Sequence, residues 1–125
     1  MKRVLVIEDH SDMQELLVWQ LERMGFMPLS GKTAMAGIQI AVAEKPDLIL
    51  MDIMMPHLNG IEATRMLRAN PKTKEIPILA VTALFRSADL EACMKAGCVS
   101  YLVKPVSFDE LHRKICDLLN QSQPV

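Results

Sequence analysis

The amino-acid sequence predicts an α/β domain in which helices cover both faces of a parallel five-stranded sheet. Short apolar runs alternate with longer amphipathic stretches along the chain, and a glycine, a proline or a capping residue marks each change. Four of the five runs are nearly continuously apolar, as expected for strands that are covered on both sides. Five strands alternating with five helices imply right-handed crossovers and therefore a doubly wound sheet.

The predicted strands are runs rich in leucine and in β-branched residues. They cover residues 3–9, 26–30, 47–52, 77–83 and 100–105. The second run is short and contains Pro28, whose nitrogen has no hydrogen to donate to a neighbouring strand. We therefore expect the second strand to lie at an edge of the sheet.

The first predicted helix has apolar residues that recur at helical spacing. They are Met13, Leu16, Leu17, Leu21 and Met24. Ser11 and Gln14 have the spacing of a capping box at the start of this helix, and Gly25 provides a stop. Trp19 lies off the apolar stripe, so we expect its side chain to be partly exposed.

The last predicted helix has an equally clear apolar stripe. It consists of Phe108, Leu111, Ile115, Leu118 and Leu119. Ser107 is placed to cap this helix, with Glu110 three residues further on. Three weaker helices are predicted at residues 33–44, 59–69 and 87–96. In the last of these, we expect Leu90 and Met94 to face inward.

Length and composition predict one globular domain. Half of the 125 residues are hydrophobic, which is enough for a sizeable core. The 14 basic and 15 acidic residues give a formal net charge of -1, so the charge balance gives no indication of direct binding to nucleic acid or to an anionic membrane. We expect one domain over residues 1–121, followed by a polar tail at residues 122–125.

Cysteine spacing and hydropathy favour a cytoplasmic protein. Cys93, Cys98 and Cys116 form no CxxC pair and have no flanking histidine at zinc spacing, so we interpret them as reduced thiols. No stretch of the sequence approaches the roughly 18 apolar residues of a membrane span. The opening MKRVLVIED turns acidic too early for a signal peptide. We therefore expect a cytoplasmic chain without membrane insertion.

Polar residues end four of the predicted strands. Glu8 and Asp9 end the first strand, Asp52 the third, Thr82 the fourth and Lys104 the fifth. In a parallel sheet these ends share one edge, and functional groups collect there beside the point where the strand order reverses. A single acid at a strand end is best explained as a helix cap or a turn residue. Four polar endings together predict a functional site.

The chemistry of this cluster indicates a divalent metal ion. Three carboxylates in a partly buried cleft repel one another, so either one carboxylate takes up a proton or a cation joins them. Lys104 alone cannot balance three negative charges, whereas a divalent cation together with Lys104 can. Because all the ligands are oxygens, with no cysteine and no histidine pair, Mg²⁺ or Mn²⁺ is favoured over zinc.

A metal ion beside a carboxylate nucleophile, a lysine and a hydroxyl suits phosphoryl transfer, which depends mostly on positioning and on neutralisation of charge. Asp52 is the expected acceptor, and its attack on phosphorus would give an acyl phosphate. The metal ion and Lys104 would each hold a phosphoryl oxygen. The Thr82 hydroxyl would donate a hydrogen bond to the third.

Four segments, in this order, resemble the receiver domains of two-component response regulators. They are VIED at the first strand, ILMDIMMPHLNG at the third, AVTA at the fourth and YLVKP at the fifth. The second segment matches the D-x-x-M-P-x-x-x-G pattern of that family, and the resemblance covers essentially the whole chain. It implies a flavodoxin-like three-layer sandwich with strand order 2-1-3-4-5.

The resemblance also implies roles for individual residues. Glu8 and Asp9 would hold Mg²⁺ together with Asp52, and the backbone carbonyl of Met54 would be a further ligand. The phosphoryl group would arrive on Asp52 from a histidine kinase or a histidine phosphotransfer protein. Such a chain is not an enzyme that acts on a separate substrate, but a signalling receiver that catalyses its own phosphorylation and dephosphorylation.

The family pattern further implies a switch. Thr82 would move towards the phosphoryl group and Tyr101 would turn inward, which reshapes the face of the fourth helix, fifth strand and fifth helix that meets a downstream effector protein. Alternatively, Tyr101 is simply a half-buried strand aromatic. Lys104–Pro105 resembles a cis peptide bond of the family, and a trans turn stays open. His10 stands where asparagine or aspartate is frequent, and we expect it to have a surface role.

Functions from other classes are less consistent with the sequence. A flavin or nucleotide binder would need a Gly-rich or Ser/Thr-rich phosphate loop after the first strand, where EDHSD would repel phosphate. An aspartate-nucleophile phosphatase would need a second acid two residues after Asp52, and Met54 occupies that position. The remaining alternative is a receiver-fold interaction or relay module with phosphorylation-independent output, against which the intact polar set argues. Whether the chain is a stand-alone receiver or part of a longer regulator stays open.

Overall fold

A computed structural model of the chain describes residues 1–83 and 86–120, in which five strands alternate with five helices. The elements are β1 (Arg3–Ile7), α1 (Ser11–Arg23), β2 (Met27–Gly31), α2 (Ala34–Glu44), β3 (Leu48–Asp52), α3 (Gly60–Ala69), β4 (Ile78–Thr82), α4 (Ser87–Ala96), β5 (Ser100–Val103) and α5 (Phe108–Leu119). Every predicted element is present. The predicted polar tail at residues 122–125 lies outside the described residues. Within them, no helix combines the length and the apolar character that crossing a bilayer requires.

The five strands form one parallel sheet in the order β2-β1-β3-β4-β5, which confirms the predicted doubly wound, flavodoxin-like fold. β2 is an edge strand, as Pro28 indicated, and Pro28 pairs with Val4 of β1. The strand order reverses between β1 and β3, where Ile7 lies in register with Met51. The carboxyl ends of β1 and β3 are therefore neighbours at the crevice where doubly wound proteins bind ligands.

Two hydrophobic clusters lie on opposite faces of the sheet, because successive strand residues point to opposite sides. On one face, strand residues such as Ile7, Ile49 and Ile78 pack under α2, α3 and α4. On the other face, residues such as Val6 and Leu50 pack under α1 and α5. Each fully buried aliphatic side chain contributes roughly 2 kcal/mol of hydrophobic stabilisation. Packing on both faces of the sheet therefore fixes where the carboxyl ends of the strands lie.

Helix capping follows the sequence prediction at α5 and departs from it at α1. The Ser107 hydroxyl accepts a hydrogen bond from the Glu110 backbone N–H at 3.1 Å, as predicted. The predicted capping box of Ser11 and Gln14 is wrong, because Ser11 is already the first helical residue and His10 is the N-cap, without a side-chain cap. The Gln14 side chain is instead buried and points towards β1.

Two apolar residues that the helical pattern placed inward are in fact exposed. Leu16 of α1 is 45% exposed and Met94 of α4 is 41% exposed. In each case the adjacent residue, Leu17 or Cys93, occupies the inward position. One residue is about 100° of helical rotation, so an apolar residue beside the stripe fits the same spacing and still faces solvent. Trp19 is 53% exposed, as predicted.

The guanidinium of Arg68, near the end of α3, ties together the loops that precede β4 and β5. Its Nη1 donates to the carbonyl oxygens of Lys74 and Ile76 at 2.9 and 2.6 Å. Its Nε and Nη2 both donate to the Gly97 carbonyl at 3.0 and 2.8 Å. The partly buried side chain of Arg68 therefore donates hydrogen bonds to three backbone carbonyls. These carbonyls lie at the end of the sheet opposite the predicted site.

Candidate functional site

The structure brings the predicted acids and the lysine together at the carboxyl edge of the sheet. The Lys104 ammonium nitrogen lies 3.1 Å from Oε1 of Glu8 and 3.6 Å from Oδ1 of Asp52. Glu8 and Asp52 are only 1% and 4% exposed, and ligand oxygens of Glu8, Asp9 and Asp52 lie within 4.8 Å of one another. Three carboxyl groups and one ammonium therefore share a single, partly enclosed pocket.

Glu8 and Asp9 lie in the loop after β1, because that strand ends at Ile7 rather than at Asp9 as predicted. The Glu8 backbone N–H still donates to the Gly31 carbonyl of β2 at 3.1 Å. The Gln14 side-chain amide donates to the carbonyl oxygens of Glu8 and Gly31, each at 3.2 Å. Sequence reasoning missed this bridge, which fixes the backbone of the acid pair relative to α1 and β2.

Asp52 is the last residue of β3, as predicted, and the loop after it is held close to the strand. Its Oδ1 accepts a hydrogen bond from the Met54 N–H at 3.2 Å, while the Gly60 N–H donates to the Ile53 carbonyl at 3.0 Å. A Cβ atom on Gly60 would lie 2.6 Å from the Asp52 carbonyl oxygen. Only glycine allows this approach, which explains the glycine that follows the acid in the sequence.

Lys104 follows β5, and its backbone anchors it to the neighbouring strand. Its N–H donates to the Thr82 carbonyl at 2.8 Å. The Lys104–Pro105 peptide bond, which the sequence left open, is cis. The Lys104 side chain is 20% exposed, so the ammonium group reaches from the surface into the acidic pocket.

The pKa values of Glu8 and Asp52 are shifted in opposite directions. Burial, and next the neighbouring Glu8, raise the pKa of Asp52 to about 7, although Lys104 and the Met54 N–H oppose the shift. Burial would also raise the pKa of Glu8, but hydrogen bonds from Asp52, from the His10 N–H and from Lys104 together lower it. The proton shared by the pair therefore resides on Asp52 and is released around neutral pH.

The carboxylate oxygens of the pocket fit a hard divalent cation. Oδ1 of Asp9 is buried and has no hydrogen-bond donor among the described residues. A cation at bonds of roughly 2.1 Å spaces its ligands about 3 to 4 Å apart, which the oxygens of this pocket can adopt within their 4.8 Å spread. Because such an ion replaces the proton as the counter-charge, the acidic pocket is compatible with Mg²⁺.

His10 is part of the pocket, although only a surface role was expected for it from the sequence. Its side chain is 75% exposed, as that role requires, yet Nδ1 lies 3.4 Å from Oε2 of Glu8 and 3.4 Å from Oδ1 of Asp9. Its backbone N–H donates to Oε2 of Glu8 at 3.2 Å. The position of His10 directly after Glu8 and Asp9 in the sequence could have indicated this contact.

The two predicted switch residues occupy different places. Thr82 is the last residue of β4 and is fully buried, and its preceding neighbour Val81 lies in register with Asp52. Tyr101 lies on β5 with its side chain 39% exposed. With Leu90 and Met94 of α4, it lines a groove of 410 Å³ that is separate from the acidic pocket.

Comparisons with known proteins agree with this geometry. The family model of the response regulator receiver domain matches residues 4–116. Protein PilH of Pseudomonas aeruginosa is 36% identical over 115 residues, which are 92% of this chain and 95% of PilH. The fold matches that of the chemotaxis protein CheY4 of Vibrio cholerae with a TM-score of 0.91, at 23% identity, over 95% of this chain and 99% of that chain.

A second solved structure bears on the pocket itself. The receiver domain of a sensor histidine kinase from Pseudomonas aeruginosa, solved with a magnesium ion coordinated in its active-site cleft, matches with a TM-score of 0.89 at 31% identity. The match covers 96% of this chain and 98% of that chain. The family model, the PilH relative and the shared fold lead to one conclusion: this chain belongs to the response regulator receiver domain family of two-component signalling.

Proposed function

We propose that this receiver takes a phosphoryl group onto Asp52 from a phosphohistidine donor, in a reaction that depends on a divalent cation. The observation that carries the proposal is the position of the Lys104 ammonium between the buried carboxyl groups of Glu8 and Asp52, at 3.1 and 3.6 Å. A nucleophile, a fixed cationic group and a cluster of oxygen ligands are the parts that phosphoryl transfer needs.

Glu8, Asp9 and Asp52 would hold the cation, with the backbone carbonyl of Met54 as a further ligand. Oδ1 of Asp9 supports this assignment, because it is buried and accepts no hydrogen bond from the described residues, and a bound cation would compensate for that loss. Mg²⁺ is the first choice, and Mn²⁺ accepts similar oxygen ligands. Such an ion would supply neutralisation and orientation of the phosphoryl oxygens.

In the proposed transfer, an oxygen of the ionised Asp52 forms a bond to phosphorus while the bond between phosphorus and the donor imidazole breaks. The electron pair of the broken bond stays on the imidazole nitrogen of the donor. Lys104 would hold one phosphoryl oxygen and the Thr82 hydroxyl another. Water would later cleave the acyl phosphate, so the chain catalyses reactions of its own side chain and is not an enzyme for a separate substrate.

The partners follow from this chemistry. A histidine kinase or a histidine phosphotransfer protein would supply the phosphoryl group. A downstream effector protein would bind the face of α4, β5 and α5, where Tyr101 and the groove beside it lie. No direct contact with nucleic acid is proposed, in keeping with the formal net charge of -1.

Intact mass measurement after incubation with a small phosphodonor and Mg²⁺ tests the acceptor. The wild-type protein should gain one phosphoryl group that is stable to acid and labile to base, and Asp52→Asn should gain none. Asp109→Asn, on the exposed first turn of α5, is the matched control and should be phosphorylated normally. Asp9→Asn should slow the reaction and abolish the heat of Mg²⁺ binding. An adduct on Asp52→Asn would reject the proposal.

Thr82→Ala tests the coupling between phosphorylation and output. The variant should still accept phosphate on Asp52, but the phosphorylation-dependent changes in amide chemical shifts around Tyr101 should be lost. Thr82→Ser keeps the hydroxyl and should retain them. If Thr82→Ala responds like the wild type, the proposed switch is wrong, and a receiver with phosphorylation-independent output becomes the better description.

A further inference from the structure

We propose that His10 is an additional ligand of the metal site, through Nδ1, so that this pocket binds a borderline transition ion such as Zn²⁺ more tightly than Mg²⁺. The inference rests on the metal site of the proposed function and specifies the class of cation that it accepts. The observation behind it is that the pocket is not an all-oxygen site, because one imidazole nitrogen lies among its carboxylates.

The distances suit a shared ion better than a direct hydrogen bond. Nδ1 of His10 lies 3.4 Å from one oxygen of Glu8 and 3.4 Å from one oxygen of Asp9. Hydrogen bonds from nitrogen to oxygen are normally about 2.7 to 3.2 Å long. Two ligands of a tetrahedral zinc ion, each at a bond length of about 2.0 to 2.1 Å, lie roughly 3.4 Å apart. Both contacts of Nδ1 therefore have the spacing of neighbouring ligands.

The backbone of His10 is fixed while its ring stays accessible. The residue is the N-cap of α1, its N–H donates to Oε2 of Glu8 at 3.2 Å, and its carbonyl accepts from the Gln14 N–H at 2.9 Å. The ring is 75% exposed and so lies at the mouth of the pocket. An ion entering from solvent would meet the imidazole first and the buried carboxylates next.

The chemistry of the ligands decides the cation. Carboxylate and carbonyl oxygens suit Mg²⁺ and Mn²⁺, whereas an imidazole nitrogen adds affinity for Zn²⁺, Ni²⁺ and Co²⁺ and little for Mg²⁺. An asparagine or aspartate at this position would leave only oxygen ligands. The histidine should therefore raise the affinity for transition ions selectively, and such an ion would compete with Mg²⁺ for Asp9 and Asp52.

Isothermal titration of tag-free protein with Zn²⁺, and separately with Mg²⁺, tests the proposal on the wild type, His10→Asn and His57→Asn. Asparagine is a favoured N-cap residue, so His10→Asn should preserve α1. His57, an exposed histidine of the loop after β3, lines a 250 Å³ cavity together with Asp9, so His57→Asn tests whether this second nearby histidine contributes to binding. The three cysteines are buried and should not provide the measured site.

His10→Asn should weaken Zn²⁺ binding about tenfold or more and change Mg²⁺ binding by less than about threefold, as expected when one nitrogen ligand is lost. His57→Asn should bind both ions like the wild type. In long-range ¹H–¹⁵N spectra, Zn²⁺ should shift Nδ1 of His10 and leave the nitrogens of His57 in place.

Equal Zn²⁺ affinity of the wild type and His10→Asn, or an unshifted Nδ1, would overturn this inference while phosphorylation of Asp52 still supports the proposed function. Conversely, Zn²⁺ binding that depends on His10 in a protein that never gains a phosphoryl group would uphold the metal ligand and reject the phosphoacceptor.

Discussion

The acidic pocket and the groove between α4 and β5 differ in almost every physical respect. The pocket is charged and largely buried, and hydrogen bonds from the Gln14 side-chain amide and the Met54 N–H hold Glu8 and Asp52 in place. The groove has a volume of 410 Å³ and is flanked by exposed apolar side chains, including Tyr101 at 39% and Met94 at 41% exposure. Chemistry requires fixed groups shielded from water, whereas partner binding requires accessible apolar area. The same sheet supports both, and within residues 1–83 and 86–120 they share no lining residue, so a substitution can be placed in one without removing a side chain of the other.

The largest expected effect is on the free energy of unfolding, and it comes from the ionisation of Asp52 in the pocket. The pKa of Asp52 is about 7 in the folded protein and 3.8 in the reference state, so the folded state holds a proton between these values that the unfolded chain has released. The free energy of unfolding should therefore fall as pH rises from about 4 to about 7, by up to about 4 kcal/mol. Glu8 contributes the opposite slope, at lower pH, because its pKa is lowered.

Asp52→Asn should remove this decline, since the amide does not ionise. Denaturant titrations of metal-free protein at several pH values, with a chelator present, measure the effect. If the free energy of unfolding depends on pH in the same way for the wild type and Asp52→Asn, burial does not raise the pKa of Asp52.

A smaller effect on the free energy of unfolding is expected when a substitution at Gly60 displaces the loop beside the pocket. Gly60→Ala places a Cβ 2.6 Å from the Asp52 carbonyl oxygen, whereas Gly25→Ala at φ +89° meets no atom within 4 Å. Gly25→Ala should cost about 1 kcal/mol through its backbone conformation, and Gly60→Ala about 2 to 3 kcal/mol through the clash. Gly60→Ala alone should also slow phosphorylation of Asp52. Equal phosphorylation rates in the two variants would mean that the loop position does not affect the pocket.

The smallest effect is expected in the groove. Tyr101→Ala removes an exposed ring and should lower the free energy of unfolding by less than about 1 kcal/mol. It should leave the rate of phosphorylation unchanged, because Tyr101 does not contribute to the acidic pocket. Denaturant titration and timed intact mass measurements check both points. A large loss of phosphorylation would show that the two regions are not independent.

The fold was predictable because it depends on periodic patterns. Buried parallel strands are nearly continuous apolar runs, and Pro28 restricts β2 to an edge, so the strands and the edge position of β2 could be expected from the pattern alone. The full strand order was implied only by the resemblance to receiver domains. The same apolar spacing that identified the helices placed Leu16 and Met94 inward by mistake. Apolar residues three or four positions apart fit a helix, so the spacing cannot distinguish the inward position from the residue beside it.

The site was predictable only in part. Glu8, Asp9, Asp52 and Lys104 could be grouped because the ends of parallel strands share an edge. The contacts of His10 and Gln14 depend on the path of a loop and on side-chain direction, and neither has a period in the sequence. Gln14 has the spacing of a capping residue, and only the structure shows that its amide bridges two carbonyl groups instead.

The guanidinium of Arg68 anchors the C-terminal end of α4 and, in the part of the chain that the structure describes, makes no contact of this kind with its N-terminal end. Gly97, just after the helix, is held by two N–H groups of that side chain, while the N-cap Arg86 makes no side-chain cap hydrogen bond. For the proposed switch at Thr82, we therefore expect the last turn of α4 to move least, because Arg68 anchors Gly97 to α3.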